Sequence, residues 1–219
     1  MTGLFKPSTN VREELKDLGI TFEDLDPETR LFLHGIKPAL SVMSYGNADL
    51  MNSIGEHLAE QVVSIITHSY YTIIEPRDKH RRFRALVFQN AYNFSEYAKK
   101  ASVKMVDSPF YTAPLAMLYT SNLDYGITLG YPPSACEWFA EDVKKDTEDR
   151  CPQEDKYFIH YHGFNFVTHK SLVKDNIEWL RSTYYIPKEM RGEEYVRTFN
   201  AGLNRFSFDD FLSSSLHQG

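Results

Sequence analysis

A chain of 219 residues with 42% hydrophobic and 14% aromatic side chains has ample material for a packed core and lies far from the composition of disordered segments. Its formal net charge of −6 excludes a chain-wide electrostatic footprint for nucleic acid, so no nucleic-acid partner is expected. No apolar run approaches the roughly 18 residues of a membrane span, and the N-terminus lacks the apolar centre of a secretory signal.

With two cysteines and no export signal, a reduced cytoplasmic setting is the expectation. Length and pattern predict one globular domain over 1–219, of α+β class, helix-rich, with a small sheet that includes a strand near 157–168. The ends, about 1–8 and 213–219, are expected to fray.

In chain order, Asp26-Pro27 is an N-cap followed by proline at the first helical position, and it opens a helix that Gly35 and Pro38 stop. Asn47 caps a long helix to about Tyr71, with Leu50, Ile54, Leu58, Val62 and Ile66 at helical spacing. Glu75-Pro76 ends it, and a basic-aromatic helix follows from Arg77 to about Lys100. Val103–Val106 reads as a strand, Pro114–Tyr119 as a helical turn, and Tyr125–Tyr131 as a strand. Ser134-Ala135-Cys136-Glu137 is a capping box that opens a helix to about Glu148. Tyr157–His169 reads as a strand, Ser171 to about Thr183 as an amphipathic helix, and Tyr184–Phe211 as short aromatic pieces.

Three of the eight histidines fall within ten residues, at His160, His162 and His169. Side chains alternate along a strand, so His160 and His162 share one face, roughly 6.5–7 Å apart, and His169 points away unless Gly163 carries a bulge. A histidine pair with a distant carboxylate is the usual open site for zinc or non-haem iron. Cys136 falls at the second position of its helix, where backbone N–H groups favour a thiolate, so a nucleophilic thiol is an alternative. Cys136 and Cys151 with His160 and His162 could make a zinc set, although their spacing fits none of the compact structural zinc motifs.

Arg77, Lys79, His80, Arg81, Arg82 and Arg84 crowd eight positions of an otherwise acidic chain. On a helix Arg77, Arg81 and Arg84 form one ridge and Lys79 and Arg82 a second, a surface suited to an anion because arginine forks bind carboxylate and phosphate bidentately. His57 lacks the second histidine of a metalloprotease helix, and His68 beside Tyr70 and Tyr71 suggests a haem or other flat cofactor. There is no dinucleotide fingerprint, phosphate-binding loop, nucleophile elbow or kinase signature. The expected function is a binding protein: an aromatic surface or pocket plus the basic helix holds a small anionic or aromatic ligand or an acidic protein partner. The alternatives are a metal-dependent enzyme at His160 and His162 and a thiol enzyme at Cys136.

Overall fold

Caps and turns written into the sequence set where the chain changes direction in the computed structural model, which describes residues 11–44, 46–76, 83–106, 115–199 and 204–215. The described residues form helices and antiparallel sheets in two units, Met1–Thr120 and Ser121–Gly219, and the α+β, helix-rich expectation holds in both.

The first unit contains α1 (Val11–Asp17), α2 (Pro27–Leu33), β1 (Ala39–Met43), α3 (Ala48–Ile54), α4 (Glu56–Ser69), β2 (Tyr71–Pro76), β3 (Phe83–Phe88), α5 (Ala91–Lys100), β4 (Ser102–Val106) and β5 (Leu115–Tyr119). Asp26 caps α2 by accepting from the Thr29 N–H at 3.1 Å, and Asn47 caps α3 by accepting from the Leu50 N–H at 2.8 Å. The helix expected over 47–71 is two helices. Gly55, at φ 83°, adopts the left-handed region open mainly to glycine and redirects the chain between α3 and α4. Val62, Val63 and Ile66 of α4 then bury against Leu40, Val42, Ala85 and Val87 of the sheet β1-β3-β2.

The basic helix expected from Arg77 to about Lys100 is corrected over its described first part. Phe83–Phe88 is the central strand of that sheet, paired with β1 and β2, and Arg84 lies opposite Met43 and Glu75. Burial on both sides favours the continuous run Ala85-Leu86-Val87-Phe88 as a central strand, and helix follows it at α5, which Asn90 caps. Arg77, Lys79, His80, Arg81 and Arg82 lie outside the described residues. The expected strand at Val103–Val106 is present as β4. Its antiparallel partner β5 occupies the stretch expected as a helical turn. Lys37, fully buried, places its ammonium 2.8 Å from Glu28.

The second unit contains α6 (Asn122–Thr128), α7 (Pro133–Asp142), β6 (Lys156–Tyr161), β7 (Phe164–His169), α8 (Val173–Thr183), β8 (Glu194–Thr198), β9 (Arg205–Phe206) and α9 (Phe208–Ser215). Where a strand was expected over 125–131 there is helix α6, because Ser121 accepts from the Asp124 N–H at 3.1 Å and caps it. Helix α7 starts with Pro133 at its first position, so Ser134 does not cap it; the Ser134 hydroxyl donates to Asn176 at 2.6 Å. The helix stops at Asp142, well before Glu148. Helix α8 lies where its apolar spacing predicts. Its Ile177 and Leu180 are fully buried, and Asn176 donates to Thr168 at 2.8 Å.

The four-stranded sheet has the order β7-β6-β8-β9, antiparallel throughout. Ile159, Phe166 and Val196 lie side by side in register and are buried, as are Tyr161 and Phe164 on the same face.

Gly126 is fixed by a close approach. A Cβ there would lie 2.7 Å from Cys136 Sγ, since α6 and α7 meet at this point. Gly126→Ala gains helix propensity but overpacks the contact. We expect it to destabilise on its own and to become neutral or stabilising in a Cys136→Ala background, with a coupling of about 2 kcal/mol in a urea-denaturation double-mutant cycle. Simple additivity would contradict the close approach.

Candidate ligand-binding site around the His162 turn

Tyr157–His169 is not one strand. His162 and Gly163 have φ of 51° and 120° and make the two-residue connection of the β6–β7 hairpin. Positive φ at both central positions matches the right-handed twist of the flanking strands, and His-Gly supplies it at tolerable cost. The turn takes His162 out of the strand alternation, which corrects the expectation that His160 and His162 share a face.

His162 is 4% exposed, and both its ring nitrogens face acceptors. Nδ1 lies 3.0 Å from the Gly192 carbonyl and Nε2 lies 2.7 Å from Glu194 Oε1. A carbonyl only accepts, so the Nδ1–H donates to Gly192, and Nε2 faces the Glu194 carboxylate. Glu194 Oε2 accepts from Arg181 at 3.1 Å, and the same guanidinium nitrogen reaches Asp209 at 3.1 Å. Burial works against the Arg181 charge, but the hydrogen bonds to Glu194 and Asp209 outweigh it and hold its pKa above the ordinary value. Tyr161 stacks on Phe208 at 5.9 Å, and Arg181 lies 5.5 Å over the same Phe208 ring. Residues from β6, α8, β8 and α9 thus close one polar chain against an aromatic wall.

Beside this chain is a cavity of about 480 Å³, within the size range of small-molecule sites. Tyr161, Tyr184 and Tyr185 contribute aromatic surface, and Arg191 and Arg181 contribute positive charge. Tyr161 donates to the Tyr184 carbonyl at 3.5 Å and Tyr184 donates to the Gly130 carbonyl at 2.9 Å. Burial raises both phenol pKa values, that of Tyr184 to about 12, so both stay neutral donors near pH 7. Arg191 is anchored through Nε, which donates to the Ile186 carbonyl at 3.2 Å; among the described residues no carboxylate pairs with it. Tyr185 is 82% exposed at the rim.

Neither the chain nor its fold matches any known protein family, curated protein or solved structure. The local geometry therefore carries the functional argument.

His160 stacks on Tyr195 at 4.8 Å with 12° between rings, and its Nδ1 lies 2.5 Å from Asn165 Oδ1. Burial lowers its pKa, with the Asn165 hydrogen bond opposing. Among the described residues neither His160, His162 nor Cys136 belongs to a cluster of three metal-ligating groups, so the histidine-pair metal centre and the Cys136, Cys151, His160, His162 set are not assembled. His68 is exposed and its Nδ1 donates to the Ser64 carbonyl of its own helix at 2.7 Å, so it does not face an apolar cofactor pocket.

Cys136 is the fourth residue of α7, two positions further in than expected, and it lines a separate apolar cavity of about 220 Å³ with Tyr125, Tyr131, Phe139 and Phe166. Burial first, and the Glu137 charge second, push its thiol up to about 12, the opposite of an activated nucleophile. Iodoacetamide near pH 8 should therefore alkylate Cys151, which is only half-buried, well before Cys136, and should reach Cys136 only in denaturant. Mass spectrometry of timed samples reads the order, and rapid labelling of Cys136 in the folded protein would contradict its burial.

Sequence reasoning missed Arg181, Arg191 and Glu194 entirely. The one local signal was His162-Gly163 between two aromatic strand patterns, which marks a hairpin turn and so a break in the alternation.

Proposed function

We propose that this protein binds a small aromatic anion, of the aromatic carboxylate class, in the cavity beside the His162 turn. The observation that carries the reading is the Arg191 fork, anchored at Nε and unpaired by acid among the described residues, in a 480 Å³ space with Tyr161, Tyr184 and Tyr185. Arginine matches a carboxylate bidentately, and the tyrosine rings offer faces and edges for a ligand ring. The Arg181 charge is already taken by Glu194 and Asp209, which leaves Arg191 as the anion contact and favours one negative charge over several. The anionic or aromatic ligand read from the sequence is retained, and the basic helix is replaced by Arg191. No helix among the described residues is long and apolar enough to cross a membrane, and two free cysteines suit a reducing, cytoplasmic setting.

Thermal shift with benzoate, 4-hydroxybenzoate, indole-3-carboxylate and inorganic phosphate tests this reading. At least one aromatic carboxylate should raise Tm saturably, phosphate should do so less, and Arg191→Ala should remove the effect without lowering the ligand-free Tm appreciably. Arg191 is exposed, and an exposed side chain of this kind contributes within about 0.5 kcal/mol to stability. No shift with any probe, or an equal shift in Arg191→Ala, would overturn the reading.

A further inference from the structure

We infer that Cys151, Asp155 and His169 form a second, separate site, which takes one zinc-type divalent transition ion. One ligand atom from each residue lies within 4.8 Å of the other two, and all three side chains are half-buried. None of them contributes to the cavity beside His162.

The backbone builds the site. Asp142, at the end of α7, accepts from the Cys151 N–H at 2.7 Å and from the Lys156 ammonium at 3.0 Å, which ties the cysteine to the start of β6. A single 3-10 turn, Gln153–Asp155, then brings Asp155 round to the same place. His169 is the last residue of β7 and stands opposite Lys156 in the ladder, so the sheet register fixes its distance from Asp155. Its ring is oriented: Nδ1 accepts from the Ser171 N–H at 3.2 Å and lies 2.7 Å from the Ser171 hydroxyl, with the Trp138 ring 6.0 Å away. For Nε2 to ligate an ion the ring proton moves to Nδ1, which then donates to the Ser171 hydroxyl in place of accepting from the Ser171 N–H, and that hydroxyl sets the direction of the ligating imidazole. Asp155 Oδ1 is held by Lys170 at 2.6 Å, and the carboxylate keeps its second oxygen, Oδ2.

The donor set selects the ion. Thiolate and imidazole suit zinc rather than calcium or magnesium, and thiolate plus carboxylate neutralise a dication. Three protein ligands leave the fourth tetrahedral position to water. Tetrahedral bonds of zinc length put ligand atoms roughly 3.4–3.7 Å apart, so the cluster needs to close by about 1 Å. Cys151, ahead of the 3-10 turn and outside any helix or strand, can supply that movement. Lys170 competes with the ion for Asp155.

Untagged protein stripped with a chelator and titrated with Co²⁺ tests this directly. One equivalent should produce a thiolate-to-cobalt charge-transfer band, which Zn²⁺ should then displace. Cys151→Ser should lose the band and Cys136→Ser should keep it. Asp155→Asn and His169→Gln should each weaken binding at least roughly tenfold, and Lys170→Ala should leave affinity equal or higher. Circular dichroism confirms folding, and if Cys151→Ser does not fold, protection of Cys151 from iodoacetamide by Zn²⁺ in the native sequence replaces it. A folded protein with no charge-transfer band, a band that survives Cys151→Ser, or affinity unchanged in both Asp155→Asn and His169→Gln overturns the site.

Discussion

Glu194→Ala should destabilise the folded protein by about 3 kcal/mol, because it leaves a buried ring nitrogen and a cation without their shared carboxylate. The Glu194 oxygens lie 2.7 Å from His162 Nε2 and 3.1 Å from Arg181. His162 cannot turn its ring to water, since Nδ1 is tied to the Gly192 carbonyl and its own N–H donates to the Glu193 carbonyl at 3.0 Å. Arg181 keeps Asp209, but that carboxylate is 85% exposed and offsets little of the loss. Glu194→Gln should cost less. Its amide oxygen can still accept from one of the two partners, while its NH₂ must face the other. Urea denaturation should thus rank wild type above Gln above Ala. A loss below about 0.5 kcal/mol for Ala would mean that His162 finds another acceptor.

Asp142→Ala should have a comparable effect, again about 3 kcal/mol. The carboxylate is 2% exposed and joins the end of α7 to the Cys151 N–H and to Lys156, whose side chain is 17% exposed. Truncation leaves a buried N–H and a largely buried ammonium unpaired. Burial alone would raise the Asp142 pKa, but the Cys151 N–H and Lys156 more than compensate and hold it below the usual carboxylate value. The sign of the pH dependence follows. The contribution is fully present above the unfolded carboxylate pKa and is lost as pH falls through the depressed folded value. Wild type should therefore lose more stability than Asp142→Ala on acidification into that range. Equal acid slopes for the two proteins would contradict the assignment.

How much of this was legible in the sequence depended on whether the deciding interaction was local. Asp26 and Asn47 cap helices through hydrogen bonds only three residues away, and both were readable. The α8 pattern was readable because one apolar stripe serves one core. The segments Tyr71–Pro76 and Phe83–Phe88 were misread, since a short apolar segment suits helix and strand alike until its neighbours are known. Here β1 and β2 on either side of β3 decide it. The strand expected over 125–131 ignored the Ser121 cap, a local signal that was available. The candidate site was hidden for a different reason. Arg181 meets Glu194 across 13 residues and Asp209 across 28, and no spacing rule predicts such pairs. Only the His162-Gly163 turn could have pointed there.

The central claim is that the cavity beside His162 is where a small aromatic anion binds. An NMR titration with the tightest probe of the aromatic carboxylate panel tests it most directly. Backbone amide shifts should concentrate on Tyr161, Arg181, Tyr184, Tyr185 and Arg191 and disappear in Arg191→Ala. Shifts centred on Cys136 and Phe139 at the apolar cavity, or scattered over the surface, would contradict it.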